Sequence, residues 1–243
     1  MLSKSQIQSI TRLKQKKYRQ QDGFFVVEGM KTIQELIESH FKLEALYTTT
    51  SFNGAKHSHY KDEILISEAD LNRISFLTTP NKALAIFKIP CPKPLEKKGL
   101  IVALDAVRDP GNLGTIIRLC DWFGVNHLVC SHETVDCFNP KVVQATMGSI
   151  ARVTVSYVNL VDFLNEANLP VFGAFMDGET VYNKQLPTNA ILLMGNEAHG
   201  ISKTMEALVT EKISIPRFGH LQVTESLNVA TATAILLSEF RRR

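Results

Sequence analysis

The segment LIVALDAVRDPGNLGTIIR, residues 100–118, gives the clearest indication of the fold class. Its first five residues are all apolar, which is typical of a strand buried on both faces of a parallel sheet. Pro110 and Gly111 then force a turn, and the apolar residues beyond them predict a helix over residues 115–123. A buried strand, a turn and a helix in this order predict the beginning of an α/β domain.

The same alternation continues to the C-terminus. Further strands are predicted at residues 127–130, 153–157, 171–175, 191–194 and 213–215, with helices at 140–147, 160–166 and 227–243. Strands that alternate with helices predict a parallel sheet with helices on both sides. A smaller α/β unit precedes it, with strands at 24–27, 45–49, 64–66 and 83–89 and helices near 31–38 and 68–74.

A proline-rich segment, IPCPKPLEKKG at residues 89–99, separates these two parts. Prolines at alternate positions favour extended backbone, and the lysines keep the segment solvated. We therefore predict a first domain over residues 1–90, a linker over 91–99 and a second domain over 100–243.

The charge of the chain is unevenly distributed. Residues 1–21 contain six basic residues and no acidic one, so this tail carries +6 in a chain of net charge +3, and the remainder carries −3. The basic residues are Lys4, Arg12, Lys14, Lys16, Lys17 and Arg19. This distribution suits an arm that contacts phosphates. The helical spacing of Ile7, Ile10 and Leu13 equally suits a solvated first helix.

The composition also argues against several classes of protein. The four cysteines, Cys91, Cys120, Cys130 and Cys137, have no CxxC spacing, so neither a zinc site nor a disulfide framework is expected. The polar, basic N-terminus does not resemble a signal peptide, and no apolar run is long enough to cross a bilayer. We expect a cytoplasmic protein that uses no metal and does not enter a membrane.

The first loop of interest follows the strand at residues 100–104, at the edge where α/β sheets bind ligands. Asn112 is predicted to cap the next helix, and Arg118 to lie near the same face, between one and two turns deeper. Together they could hold a phosphate, or they could form only a cap and a surface ion pair. Gly111 and Gly114 form GxxG and not GxGxxG, which makes a nicotinamide dehydrogenase the weaker alternative.

The second loop is MGNEAHGIS, residues 194–202. Gly195 allows close approach of a ligand to the backbone, and Gly200 permits a tight turn. Glu197 lies between them as a carboxylate at the end of a strand. His199 is a candidate general base, but a histidine that faces solvent is the favoured interpretation.

The third loop begins where Pro216 ends a strand. Ser226 and Asn228 are polar residues at the start of an otherwise apolar helix. Taken alone, their simplest interpretation is that they cap this helix.

Taken together, the three loops resemble the motifs of the SpoU (TrmH-like) RNA 2′-O-methyltransferases, a branch of the SPOUT superfamily. The first motif is similar to DPGN at residues 109–112, continuing through Arg118 to Phe123-Gly124. The second resembles MGNEAHG at 194–200, and the third resembles Ile215-Pro216 with SLNV at 226–229. The stretch FFVVEG at 24–29 also resembles the start of the family's RNA-binding domain, which is similar to ribosomal protein L30e.

This resemblance implies a particular fold and cofactor. The second domain would be a parallel-sheet domain with a C-terminal trefoil knot, preceded by a small L30e-like α/β domain. The knot would form a cradle in which backbone groups of Gly195, Ile215 and Leu227 contact S-adenosylmethionine. The resemblance further implies a homodimer with the active site at the subunit boundary.

The resemblance also assigns roles in the reaction. Arg118 corresponds to the family's catalytic arginine, proposed as the base. Because a free guanidinium is protonated at any ordinary pH, Arg118 could instead bind a phosphate beside the target and stabilise the developing alkoxide. Asn112, Glu197, Ser226 and Asn228 would position the ribose, the arginine and the cofactor loops. The segment between Gly219 and Ser226 is longer than the family pattern.

The predicted function is methyl transfer from S-adenosylmethionine to a ribose 2′-hydroxyl in structured RNA. The N-terminal domain and the basic arm favour ribosomal RNA over transfer RNA. One alternative is the same reaction on transfer RNA. A second, from another class, is a non-catalytic RNA-binding protein that keeps the fold.

Overall fold

A computed structural model describes residues 1–50, 63–92, 94–219, 221 and 226–242 of the chain. The chain divides into two compact units. The N-terminal unit consists of Met1–Cys91 together with Asp136–Ala151, and the C-terminal unit consists of Pro92–Val135 together with Arg152–Arg243. The segment 136–151 is therefore taken from the middle of the C-terminal sequence, and its local pattern does not indicate this grouping.

The basic N-terminal arm forms two helices, α1 (Lys4–Arg12) and α2 (Lys16–Asp22). Ser3 caps α1 through a reciprocal capping box. Gly23 ends α2 in the left-handed region, at a φ of 74°, a conformation that side chains disfavour. Ile10 is buried in the N-terminal core, so the apolar side of α1 is packed and not solvated.

The rest of the N-terminal unit is built on a mixed sheet with the strand order β1-β4-β2-β3. Strand β4 is antiparallel to β1 and β2, and β3 is parallel to β2. The elements follow the predicted order closely. They are β1 (Phe24–Glu28), α3 (Met30–Ile37), β2 (Leu43–Thr48), β3 (Glu63–Leu65), α4 (Glu68–Ile74) and β4 (Ala83–Lys88).

The segment 136–151 packs on this sheet through an aromatic contact and a helix. The ring centroid of Phe138 lies 4.6 Å from that of Phe25 on β1, and α6 (Pro140–Thr146) packs against the same strand. A Cβ atom on Gly148 would lie 2.2 Å from the Glu35 carboxylate, so only glycine fits there without displacing that side chain. Aromatic burial and close packing thus make this segment part of the N-terminal core.

The C-terminal unit contains a parallel sheet, as predicted, with the strand order β10-β8-β9-β5-β6-β7. Its central strand β5 is completely buried, because helices cover both faces of such a sheet. The strands are β5 (Leu100–Leu104), β6 (His127–Cys130), β7 (Thr154–Tyr157), β8 (Val171–Thr180), β9 (Ala190–Met194) and β10 (Glu211–Ser214).

The helices of this unit include two that bring functional loops into place. Helix α5 (Pro110–Trp122) begins five residues before the predicted start, and α9 (Val229–Arg241) begins two residues after it. The two helices are in contact, and the Arg241 side chain donates to the carbonyls of Phe123 and Gly124 just beyond α5. The remaining helices are α7 (Leu160–Glu166) and α8 (Lys203–Glu206).

Within the parts of the chain that the structure describes, no helix combines the length and the apolar character that crossing a bilayer requires.

One of the six basic residues in the N-terminal arm is buried. Arg19 is 1% exposed, and its guanidinium donates to the Asp136 carboxylate and to the carbonyls of Leu13 and Lys14, each at 2.9 Å. This ion pair joins the turn between α1 and α2 to the segment 136–151 inside the N-terminal unit. Arg19 is therefore a structural residue and not part of a phosphate-contacting surface.

We predict that Arg19→Met lowers the free energy of unfolding by about 3–5 kcal/mol, because it leaves the Asp136 carboxylate unpaired in a poorly hydrated site. Urea denaturation followed by far-UV circular dichroism measures the change. The double variant Arg19→Met/Asp136→Leu should recover much of the loss, since it removes both charges. A single variant as stable as the unmodified protein would contradict the proposed importance of this pair.

Candidate active site

The first loop is shaped by the residues between β5 and α5. Asp109, and not Asn112, caps α5: its Oδ1 accepts a hydrogen bond from the Asn112 backbone amide at 2.8 Å. Pro110 occupies the first helical position, where its missing amide hydrogen costs nothing. The predicted cap by Asn112 is wrong, and because Asp109 takes that role, the Asn112 carboxamide is left to contact other loops.

The Asn112 side chain joins the three predicted loops. Its Oδ1 accepts from Asn228 Nδ2 at 2.8 Å, and its Nδ2 donates to Glu197 Oε1 at 3.0 Å. Asn228 also caps α9, because its Oδ1 accepts from the amides of Ala230 and Thr231. The capping role predicted for Asn228 is therefore confirmed, and its second hydrogen bond adds a contact that capping does not require.

The Glu197 carboxylate is the acceptor at the end of the hydrogen-bond series that runs from Asn228 through Asn112. In addition to Asn112, it accepts from the backbone amides of Asp109 at 3.2 Å and Arg108 at 3.3 Å. Partial burial by itself raises the pKa of Glu197, but the hydrogen bonds from Asn112 and these amides outweigh it and lower the pKa below its usual value. Glu197 is thus an ionised acceptor at neutral pH, suited to holding donors in place and not to delivering a proton.

The second loop folds back on itself. Asn196 and Gly200 exchange backbone hydrogen bonds at 2.9 Å in both directions. A Cβ atom on Gly195 would lie 2.2 Å from the Gly200 carbonyl carbon and 2.3 Å from the Ile201 nitrogen, so this backbone crossing requires glycine. His199 is exposed, as the favoured interpretation predicts.

A cavity of about 720 Å³ lies beside these loops. The three positions predicted to contact a cofactor, Gly195, Ile215 and Leu227, all line it, together with Glu197 and Asn228. Ser226 lines it as well. This volume falls within the range of about 300–1,000 Å³ that is usual for small-molecule sites. The structure therefore brings the second and third loops together around one ligand-sized space.

The walls of the cavity suit the cofactor that the motifs imply. The apolar residues Phe175, Met194 and Leu236 contribute to the lining, and Gly195 and Gly200 of the second loop, which have no side chains, contribute backbone groups. An apolar surface can hold a purine ring, and peptide groups can bind its polar edge. The residues present thus fit S-adenosylmethionine.

Arg118 lies apart from this cavity. It is exposed on α5 and absent from the cavity lining, and it has no hydrogen-bond or ion-pair partner among residues 1–50, 63–92, 94–219, 221 and 226–242. Six residues advance an α-helix by roughly 600°, so Arg118 and Asn112 leave α5 on different sides. The expectation that they share a face is wrong, and the surface ion pair is not formed with a described residue.

The third loop is only partly described. The longer segment noted between Gly219 and Ser226 lies outside the described residues except for Leu221. The described ends of the loop, through Arg217 and from Ser226, both line the cavity.

Two residues that connect the loops were missed by the sequence argument. Asn196 Nδ2 donates to the Ala106 carbonyl at 2.7 Å, while its Oδ1 accepts from the amides of Ala198 and His199. Asp105, which is 7% exposed, accepts from the Ser202 amide at 2.8 Å. The available signal was an acid directly after an all-apolar strand, because a buried carboxylate needs partners.

The contact with Ala106 has a further consequence. Ala106 has a φ of 58°, a left-handed conformation that costs a non-glycine residue of order 1 kcal/mol or more. The Asn196 carboxamide holds the carbonyl of this strained residue, so it fixes the path of the first loop relative to the second.

Comparison with known proteins identifies the family. The sequence profile of the SpoU rRNA methylase family matches residues 99–238, and the profile of the MRM3-like substrate binding domain matches residues 4–85. The chain is 28% identical over 236 residues to the 23S rRNA (guanosine(2553)-2′-O)-methyltransferase RlmP of Bacillus subtilis. That alignment covers 95% of this chain and 93% of the relative.

Solved structures agree with this result. A protein from Porphyromonas gingivalis assigned to the TrmH family of RNA methyltransferases superposes with a TM-score of 0.90 at 40% identity, over 99% of this chain and 98% of that one. An S-adenosylmethionine-bound rRNA methyltransferase from Sinorhizobium meliloti superposes with a TM-score of 0.85 at 29% identity, over 99% and 96%. The resemblance seen in the three loops is confirmed: the chain belongs to the SpoU rRNA methylase family.

Proposed function

We propose that this protein transfers a methyl group from S-adenosylmethionine to a ribose 2′-hydroxyl of ribosomal RNA. The observation that carries the proposal is the hydrogen-bonded chain from Asn228 through Asn112 to Glu197, which joins all three loops beside a ligand-sized cavity. The relatives support it, since RlmP is named for 2′-O-methylation of 23S rRNA. The transfer-RNA alternative has less support among the relatives compared above.

The cofactor site would be formed by the second and third loops. Backbone groups of Gly195, Ile215 and Leu227 would hold S-adenosylmethionine, which when bound supplies a methyl group already activated by its sulfonium. The fit of the cavity supports this role, as does the S-adenosylmethionine bound to the related Sinorhizobium meliloti methyltransferase. The trefoil knot expected of this family would pass through the same loops, and the tight crossing at Gly195 is compatible with it.

The polar side chains would orient the RNA. Asn112, Glu197, Ser226 and Asn228 provide carboxamide, carboxylate and hydroxyl groups that can hold a ribose in line with the methyl donor. Glu197 stays ionised, so it can accept from a hydroxyl or from Asn112 without titrating near neutral pH. The hydrogen bonds among Asn112, Glu197 and Asn228 fix these three groups before RNA arrives.

Arg118 would stabilise the charge that develops on the ribose oxygen or hold the neighbouring phosphate. A guanidinium remains protonated, which favours these roles over that of a base. Because Arg118 lies outside the cavity of its own chain, it would act in the site of another subunit.

A homodimer would supply that arrangement. Arg118 and Trp122 are four residues apart on α5, so they share one side of the helix. Trp122 is 84% exposed, and a large exposed aromatic side chain is typical of a surface that a partner covers. Docking of a second copy on this side would cover Trp122 and bring Arg118 toward the partner's cavity.

A protein that acts on ribosomal RNA in this way would work in the cytoplasm.

Loss of Arg118 should strongly reduce methyl transfer. We predict that Arg118→Ala lowers kcat by about 10²–10³-fold, because a charge that stabilises the developing oxyanion is lost. The measurement is transfer of a radiolabelled methyl group from S-adenosylmethionine to total RNA, with RNA binding measured in parallel. Arg118→Lys, which keeps the charge but not the planar fork, should retain more activity than Arg118→Ala.

Normal labelling by Arg118→Ala would remove this residue from the mechanism. Calorimetry with S-adenosylmethionine distinguishes a methyltransferase from a non-catalytic RNA-binding protein that keeps the fold. A non-catalytic RNA-binding protein would show no transfer with any RNA and need not bind the methyl donor.

The hydrogen bond from Asn196 to the Ala106 carbonyl predicts that Asn196→Asp loses methyl-transfer activity at high pH and regains part of it at lower pH. In Asn196→Asp, an ionised carboxylate would face the Ala106 carbonyl and the Glu197 carboxylate, so methyl transfer should fall strongly at pH 8. The Ala106 carbonyl and the Glu197 carboxylate raise the pKa of the new carboxyl, the amides of Ala198 and His199 lower it, and its protonated form can donate to the Ala106 carbonyl again. Activity relative to the unmodified protein should therefore rise as the pH is lowered and this carboxyl takes up its proton.

The control is Asn196→Ala, which has no group to protonate and should stay weak at high and at lower pH. The other charged groups on these two loops are Glu197, His199, Asp105, Arg108 and Asp109. They are present in both variants, so the two variants differ only in the group at position 196. Equal pH profiles for the two variants would show that the hydrogen bond to Ala106 has no part in activity.

The proposed dimer predicts complementation. Arg118→Ala lacks the arginine, and Gly195→Ala places a Cβ atom against the Gly200 backbone in the cofactor loop. Each should be inactive alone, but mixed subunits should recover part of the activity, because one site combines an intact cavity with an intact arginine. Trp122→Glu should give a monomer by light scattering, with activity lost.

A mixture that remains inactive, although mixed dimers have formed, would show that each chain uses its own Arg118.

A further inference from the structure

The turn between α1 and α2 presents three lysines, Lys14, Lys16 and Lys17, here called the lysine corner. All three are exposed. Within the described residues, none of them has a carboxylate partner. They therefore carry uncompensated positive charge on the surface of the N-terminal unit.

The two arginines of the arm, Arg12 and Arg19, are each paired with a carboxylate. Arg19 is buried against Asp136, and Arg12 forms an ion pair with Asp22 at 2.8 Å. The +6 charge counted in the sequence is therefore not spread evenly along an arm. Among the residues that the structure describes, no carboxylate pairs with the lysine corner or with Lys4 near the start of α1.

The corner is held in a defined shape. Arg19 Nη1 donates to the carbonyls of Leu13 and Lys14, so a buried guanidinium fixes the backbone at the start of the corner. Lys17 Nζ lies 5.9 Å from the centre of the half-buried Tyr18 ring, and the Arg12 guanidinium lies 5.7 Å from the same ring. Such contacts favour particular positions of flexible basic side chains.

We infer that the lysine corner binds backbone phosphates of the substrate RNA. This inference rests on the proposed function. Exposed lysines on a fixed turn gain from phosphate contacts because binding releases the counterions around RNA. Contacts of this kind set the position of the nucleic acid and carry no sequence information. The corner would therefore contribute to RNA affinity and leave the chemical step unchanged.

The test compares two variants with equal change in charge. In one, Lys14, Lys16 and Lys17 are replaced by Gln. In the control, the exposed Lys31, Lys42 and Lys82 of the same unit are replaced by Gln. Both are assayed for methyl transfer to ribosomal RNA, with the RNA KM, kcat and the Kd for S-adenosylmethionine measured separately.

The corner variant should show an RNA KM raised at least about tenfold near physiological salt, with kcat at saturating RNA and cofactor binding unchanged. The slope of log affinity against log salt should become shallower by about 2–3, since each lost phosphate contact removes roughly 0.7–0.9. The control should change both quantities much less.

Two results would overturn the inference: an unchanged RNA KM in the corner variant, or an equal rise in the control, which would indicate a response to net charge alone. Failure of the proposed function is distinguishable from either. In that case the unmodified protein would transfer no methyl group to ribosomal RNA, and direct RNA binding by the two variants would still decide the role of the corner.

Discussion

The Glu197 carboxylate is the acceptor on which the candidate active site depends. It receives the backbone amides of Arg108 and Asp109 and the carboxamide of Asn112, so it ties the second loop to the beginning of α5. Asn112 then extends the connection to Asn228 at the start of α9. Removing the carboxylate would leave several donors without an acceptor. These loops, which are far apart in the chain, are fixed because one ionised group satisfies donors from another loop.

Around this acceptor, capping and glycine chemistry determine which side chains are available. Asp109 caps α5, which leaves the Asn112 side chain for the third loop. Gly195 lets two backbone segments cross where a side chain would collide. Asn196 secures the strained Ala106 from the opposite loop. The cavity thus has walls that are set before a ligand binds, which lowers the entropic cost of binding.

The N-terminal unit uses a buried ion pair for a similar purpose. Arg19 fixes the turn between α1 and α2 and pairs with Asp136, whose segment packs through Phe138 onto Phe25. A buried pair of this kind contributes little net stability compared with apolar residues, but breaking it is costly. It therefore specifies one arrangement of the N-terminal helices, and in doing so it exposes the lysine corner.

The sequence predicts the α/β class, the parallel sheet, most element positions and the family, because apolar periodicity and the three loop motifs are local features. It also identified Gly195, Ile215 and Leu227, which the structure brings to one cavity. The folded structure was needed to show that Asp109 is the cap, that Arg19 is buried and that segment 136–151 belongs to the N-terminal unit. It alone separated Arg118 from the cavity and revealed Asn196 as a link. Each of these depends on partners distant in the chain, and no local pattern records which distant donor meets which acceptor.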